Sequence, residues 1–233
     1  MLRNHSLGLI FSDFFALFYP NYCLACSLTL SPSEKTICTK CLAELQETSL
    51  HERQPNELHQ RFYELPALIY TFSFYWFKPA GTLQKLLHAL KYKGMSEIGS
   101  FFGERYAHVL VKKNYHHQID MVCSVPLHFV KYKKRGYNQA DLIAESIADN
   151  FNIPFKRLLK KKVNRKSQTR KQRLERFHNV EDTFDLLSNI NLRKKHVLVV
   201  DDVITTGATI QSACQPLIRA GASVSILAIA AVR

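Results

Sequence analysis

The chain has 233 residues, 46% of them hydrophobic, which gives room for one α/β domain plus a small appendage. Its 32 Lys+Arg against 19 Asp+Glu leave a net charge of +13, a balance that suits polyanionic partners such as pyrophosphate esters or nucleic acid and serves solubility equally well. No apolar run is long enough to span a bilayer, which excludes an integral membrane helix.

Leu7 to Tyr19 is apolar and follows Arg3, but Asp13 interrupts it and no small-x-small cleavage site precedes Cys23. It reads as an amphipathic helix (Leu9, Ile10, Phe14, Leu17, Phe18) rather than a secretory leader, and a cytoplasmic address is expected. Two CxxC pairs follow, Cys23/Cys26 and Cys38/Cys41, eleven residues apart. Each pair brings two thiolates to one side of a tight turn, and the two turns complete the four-thiolate tetrahedron that Zn²⁺ prefers. Four protein ligands leave no open position, so the expected zinc is structural. Its binding, about 10–16 kcal/mol, would stabilise a module too small to fold alone. A redox-active CxxC is the rival reading, and two spaced copies outside a thioredoxin-like context weigh against it. Cys123 and Cys214, in a strand and a helix, read as small buried hydrophobes. Residues 1–62 are thus taken as lead helix and zinc ribbon and 63–233 as the main domain, with the polar, aperiodic stretch His51 to Glu64 as a linker between them.

Ala67 to Phe77 has strand character, and its aromatics are most simply core. Leu83, Leu86, Leu87 and Leu90 mark one helix face, closed by Lys91, Lys93 and Gly94. A second helix carries Ile98, Phe101, Phe102, Tyr106, Val109 and Leu110. Ile119 to Val125 is a buried strand that runs into Pro126-Leu127-His128 and a basic loop, Lys131 to Gln139. Ala140, Leu142, Ile143, Ile147, Ala148 and Phe151 mark a third helix. Strands alternating with helices through right-handed crossovers predict a parallel sheet with helices on both faces.

The basic loop places Lys131, Lys133, Lys134 and Arg135 at a strand end, where a leaving pyrophosphate needs cations, and Gly136 is expected to permit close backbone approach. Lys160 to Val180 is long, basic and without apolar periodicity. It serves equally as a lid over a phosphorylated sugar or as a grip on a nucleic-acid backbone.

Val197 to Thr209, VLVVDDVITTGAT, is the most informative stretch. Four apolar residues make a buried parallel strand, Asp201 and Asp202 stand at its carboxyl end, and Thr205-Thr206-Gly207 opens a helix with Ile210, Ala213, Leu217 and Ile218. Ligands of open parallel sheets bind beyond the carboxyl ends of strands, and a helix N-terminus with nearby hydroxyls cradles phosphate. Adjacent acids suit ribose hydroxyls, so a ligand carrying both ribose and phosphate is expected. The turn lacks the lysine of a nucleoside-triphosphate loop.

The string resembles the phosphoribosyl-pyrophosphate (PRPP) signature of type I phosphoribosyltransferases. That resemblance implies Asp201, Asp202, Val203, Thr205, Thr206, Gly207, Ala208 and Thr209 as the PRPP site, with the acids on the ribose hydroxyls and the turn on the 5-phosphate. The whole chain, from FYPNYCLAC and CTKC through LHALKYKG, SVPLHFVKYKKRGYNQA and the signature to AGASVSILAIAAVR, resembles the ComF family of DNA-uptake and GntX-type proteins. It implies a type I phosphoribosyltransferase-like α/β domain behind a zinc ribbon and a Mg²⁺-assisted transfer in which Asp201, Asp202 and Arg135 act. Pyrophosphate or lid roles follow for Lys131, Arg135, Gly136, Asn138, Gln139, Gln168, Thr169 and Arg176, while Asn164 stands where the family often has threonine.

The leading expectation is a PRPP-binding phosphoribosyltransferase whose acceptor no residue pattern identifies. The alternative is a nucleic-acid-handling accessory of the DNA-uptake type, binding single-stranded DNA, with the PRPP site regulatory or vestigial. Basic residues without a clear aromatic interleave count against a dedicated single-strand groove.

Overall fold

A computed structural model describes residues 21–162, 183–188 and 190–233. The expected lead helix at Leu7 to Tyr19 and the candidate residues Gln168, Thr169 and Arg176 lie outside them. Four strands form a wholly parallel sheet: β1 (Leu68–Trp76), β2 (Met121–Ser124), β5 (His196–Ile204) and β6 (Ser223–Ala231), in the order β1-β6-β5-β2. β3 (Leu159–Lys161) and β4 (Phe184–Leu186) pair antiparallel beside it. Among the described residues the α-helices are α1 (Thr39–Ala43), α2 (Thr82–Tyr92), α3 (Glu97–Lys112), α4 (Phe129–Arg135), α5 (Gln139–Phe151) and α6 (Ala208–Arg219).

Strand alternation divides the core into two layers. Leu198 and Val200 of β5 lie with Val122, Leu227, Ile143 and Ile147 in one cluster, beneath α3 and α5. Val197 and Val199 lie with Cys123, Ile226, Ala213 and Leu217 in the other, beneath α6. Helices therefore cover both faces, as the continuous apolar strands predicted. The β1 aromatics are core: Phe72, Phe74 and Tyr75 are buried, and Phe74 stacks on Tyr106 at 4.4 Å. Cys123 and Cys214 are buried as expected, and burial pushes the Cys123 thiol up to about 12.

The stretch His51 to Glu64 is not a loose linker. It belongs to a strap that runs along the open edge of β1 from residue 46 to residue 65. The Trp76 N–H donates to Gln46 O (2.8 Å) and the Thr48 N–H to Phe74 O (3.0 Å). Further along, the side-chain amides of Gln54 and Asn56 both donate to Thr71 O at 2.8 Å. Leu50, Leu58, Phe62 and Leu65 are buried in the second cluster. An exposed parallel edge would leave unpaired backbone groups, and this strap pairs or caps them. Its apolar residues are too sparse and irregular to register as helix or strand, which is why the pattern reads as linker.

Candidate functional site

The crossovers from β2 and β5 leave on opposite faces, through α5 and α6, so a crevice opens between the carboxyl ends of these neighbouring strands. It is a cleft of about 470 Å³, and among the residues lining it are Val125 to His128, Lys131, Arg135, Asn138, Gln139, Asp201, Asp202, Val203, Thr205 and Thr209. Phe77, Lys91, Tyr92 and Lys161 line it as well, so residues from five separate stretches of the sequence meet at one rim.

Asp202 is buried and accepts from Gln139 Nε2 at 3.1 Å and from Lys91 Nζ at 2.7 Å. Asp201 keeps an opening to the cleft, and its carboxylate accepts the Asp202 N–H at 2.8 Å. Burial and the neighbouring Asp202 charge push the Asp201 carboxyl up to about 7, against the pull of that hydrogen bond and of Lys91 and Lys161. Lys161, in β3, has its ammonium shifted down by burial and by Lys131. The floor of the cleft therefore holds two adjacent acids, one paired with Lys91 of α2 and the other under the charge of Lys161 of β3.

Lys91 is legible in the sequence only as a helix-terminal cation, Lys161 only as part of the basic stretch from Lys160, and Tyr92 carries no site signal of its own. All three line the cleft. Arg135 stacks its guanidinium 4.9 Å over the Tyr92 ring and donates to the Tyr92 hydroxyl at 3.3 Å.

The RGYNQ block divides into different tasks. Asn138 caps α5: its carbonyl oxygen accepts the Ala140 N–H (3.3 Å), and its amide donates to Val125 O (3.0 Å) and Asp141 (2.7 Å). Both ends of that side chain are engaged in bracing the loop after β2. Gln139 uses Nε2 on Asp202, while its buried Oε1 has no hydrogen-bond partner among the described residues. Gly136 ends α4 in the left-handed region (φ +80°), and nothing in the described residues lies within 4 Å of where its Cβ would be. Its glycine requirement is thus the cap conformation, rather than the close approach anticipated from sequence.

Residues 129–135, expected as loop, form helix α4, started by His128 Nδ1 accepting the Val130 N–H. This helix exposes Phe129 and Tyr132 among Lys131, Lys133 and Lys134, with exposed Tyr92 nearby at the cleft rim. Lys133 Nζ sits 4.8 Å over the Phe129 ring. An aromatic interleave is therefore present after all; seven residues were too few to register as a helix face.

The turn after β5 is held from below. Gly207 has φ +90° and serves as N-cap of α6, and a Cβ there would meet the Phe62 ring at 2.7 Å. Thr206 Oγ1 accepts the Ala208 N–H at 3.4 Å, and Thr205, Thr206, Ala208 and Thr209 are exposed on the turn.

At the front of the chain, the Sγ atoms of Cys23, Cys26, Cys38 and Cys41 all lie within 4.8 Å of one another. Cys26 and Cys38 Sγ are 3.8 Å apart. A tetrahedral zinc with Zn–S bonds of about 2.3 Å requires sulfur separations of about 3.8 Å, so the donor set and its spacing fit that ion. The Cys38 N–H donates to Cys23 Sγ at 3.3 Å, and such hydrogen bonds hold the Cys23 thiol down at about 6 despite burial. Cys23, Cys38, Cys41, Leu30, Ile37 and Leu45 merge into the α3/α5 core, so the module is packed onto the domain.

Comparison with known proteins finds partial matches to this chain. Residues 133–233 match the phosphoribosyl transferase domain. The chain is 28% identical over 151 residues to Competence protein ComFC of Bacillus subtilis (strain 168), covering 65% of this chain and 60% of that protein. It is 29% identical over 155 residues to DNA utilization protein YhgH of Escherichia coli (strain K12), covering 62% and 64%. The chain therefore spans less than two thirds of the length of these relatives. Among solved structures, a Staphylococcus aureus hypoxanthine phosphoribosyltransferase aligns with a TM-score of 0.36 and 13% identity, over 57% of this chain and 63% of that one. The ComF resemblance carried by the motifs is borne out by these names. The fold is a type I phosphoribosyltransferase-like parallel sheet behind a cysteine module suited to zinc. No helix among the described residues is long and apolar enough to cross a membrane.

Proposed function

We propose that the cleft binds PRPP and transfers its phosphoribosyl group. The observation that carries this reading is the meeting of the Asp201–Asp202 pair, the Thr205–Thr209 turn and the cations Lys91, Lys131, Arg135 and Lys161 at one cleft. Acids alone would suit a sugar or a cation, and cations alone any anion. Together they match a ribose with phosphate at one end and pyrophosphate at the other. The turn's amides and hydroxyls take the 5-phosphate at the start of α6, and Asp201 and Asp202 accept the ribose hydroxyls. In the transfer the bond from the anomeric carbon to the pyrophosphate oxygen breaks, an acceptor heteroatom bonds to that carbon and releases its proton, and the pyrophosphate charge falls on Lys131 and Arg135. Mg²⁺, when bound, would supply charge neutralisation for the departing pyrophosphate, and Asp201 and Asp202 are the residues that would help hold it. Gln168, Thr169 and Arg176, outside the described residues, remain proposed lid contacts. We assign structural zinc to the four cysteines on the same basis of donor chemistry and spacing.

The test is calorimetry with PRPP and Mg²⁺ on the wild type and on Asp201→Asn/Asp202→Asn, with circular dichroism as the fold check. Binding by the wild type that the folded double variant loses supports the assignment; unchanged affinity overturns it. Pyrophosphate release across a panel of bases and amines then separates transfer from binding alone.

A second reading, single-stranded nucleic-acid binding, is favoured by α4. Its exposed Phe129 and Tyr132 alternate with lysines, and residues 129–135 contain no acid. Stacking faces beside backbone-neutralising cations are what a sequence-tolerant single strand needs. The two readings are compatible, since α4 borders the cleft that Lys131 and Arg135 line.

A further inference from the structure

The strap along β1 reaches the far side of the phosphate turn and contacts the turn at two points and the helix it opens at a third. Arg61 Nη1 donates to the Thr205 carbonyl at 3.0 Å. The Phe62 ring lies directly under Gly207, within 2.7 Å of where a Cβ would stand. Glu64 Oε2 accepts from Gln211 Nε2, in the first turn of α6, at 2.7 Å. Phe62 is fully buried with Leu58 and Leu65, so the strap that presents Arg61 is itself anchored in the core.

The consequence lies in the peptide between Thr205 and Thr206. In a trans peptide the carbonyl and the following N–H point in opposite directions. Tying the Thr205 oxygen to Arg61 therefore turns the Thr206 N–H away from the strap. A free loop of small residues would sample both orientations of this peptide, and ordering it on binding would cost affinity. Phe62 beneath Gly207 limits the next residue in the same way, because the left-handed glycine cannot sink towards the strap.

We propose that Arg61 is a positioning residue that preorganises the Thr205–Thr209 turn as an anion cradle, so that the segment joining the cysteine module to the domain sets the affinity of the phosphate end of the site. This rests on the reading of the cleft as a PRPP site. Arg61 acts through the Thr205 peptide and is absent from the cleft lining. Its effect is confined to ligands that carry a sugar phosphate, because the pyrophosphate cations Lys131 and Arg135 stand on a different element, α4.

The experiment uses the full chain and two probes with Mg²⁺, ribose 5-phosphate and inorganic pyrophosphate, each titrated calorimetrically into wild type, Arg61→Gln and Arg61→Lys. Arg61→Gln is expected to weaken ribose 5-phosphate about tenfold, the effect of one lost charge-assisted hydrogen bond, and to leave pyrophosphate unchanged. Arg61→Lys, which keeps a cationic donor, should recover part of the loss. Hydrogen exchange on the ligand-free proteins gives a second readout: Arg61→Gln should speed exchange of the turn amides 205–209 while the β5 amides keep their protection. Equal loss of both probes, or no loss of ribose 5-phosphate with unchanged turn exchange, overturns the positioning role. Wild-type protein that binds neither probe nor PRPP overturns the PRPP reading itself, and the positioning role with it.

Discussion

Lys91 Nζ and Asp202 Oδ2 lie 2.7 Å apart at the floor of the cleft, joining the end of α2 to the end of β5. Asp202 is buried, and Gln139 supplies its other side-chain hydrogen bond. Removing one partner of such a pair leaves the other charge uncompensated. Lys91→Met should destabilise the protein by about 1–3 kcal/mol, less than a fully buried pair because Lys91 is partly exposed and Gln139 remains. Asp202→Asn in the same chain should restore part of that loss. Urea denaturation of the two single variants and the double variant measures the coupling, and strictly additive effects would argue against the pair.

Asp201 gives the site a pH dependence whose sign follows from its raised carboxyl. The folded state holds this proton up to about 7 whereas the unfolded chain releases it near the ordinary aspartate value, so stability falls as pH rises through that window. Asp201→Asn should therefore be more stable than wild type above about pH 7, by on the order of 1–3 kcal/mol, with the difference vanishing near pH 4. PRPP affinity should run the other way in the wild type, rising as the carboxylate ionises. Thermal denaturation and calorimetry across this range check the two slopes.

Gly207 combines a left-handed backbone with the Phe62 ring beneath it. Gly207→Ala should cost about 1–3 kcal/mol in stability and abolish ribose 5-phosphate binding. Adding Phe62→Ala makes room for the new methyl but leaves φ strained. The double variant should accordingly remain non-binding, and recovery of affinity would locate the requirement in space rather than in conformation.

Metal analysis of purified protein should find about one zinc per chain, held by Cys23, Cys26, Cys38 and Cys41. Chelation should lower the melting temperature of the whole chain and increase binding of a hydrophobic dye, because Leu30, Ile37 and Leu45 share the α3/α5 core. A ratio well below one, or full stability without metal, would refute structural zinc.

If α4 carries single-stranded DNA, affinity should fall steeply with salt. Lys133→Gln/Lys134→Gln should flatten the log–log slope by about 0.7 per charge removed. Phe129→Ala/Tyr132→Ala should weaken binding by about 1–3 kcal/mol per stacked base and leave the slope in place. No binding at physiological salt would remove the nucleic-acid reading.

Local rules were enough for much of this molecule. The VLVVDD strand, its TTG turn and the following helix, the paired cysteines, the leucine face of α2 and the Ala/Ile face of α5 depend on residues within a turn or two of one another, so period and spacing reveal them. The tertiary structure decided what lies far apart in the chain: Gln139 on Asp202 across 63 positions and Arg61 on Thr205 across 144. It also made Asn138 a brace, Lys91 a cleft residue and the apparent linker a strap. Such pairings leave no periodic trace, because a single polar side chain at the right distance satisfies a buried carboxylate or carbonyl wherever it comes from in the sequence. The sequence by itself determined the acid pair, its turn and the basic rim beside them, because these rest on local period and spacing; only the fold determined which distant groups, Lys91 and Gln139 among them, touch the acids.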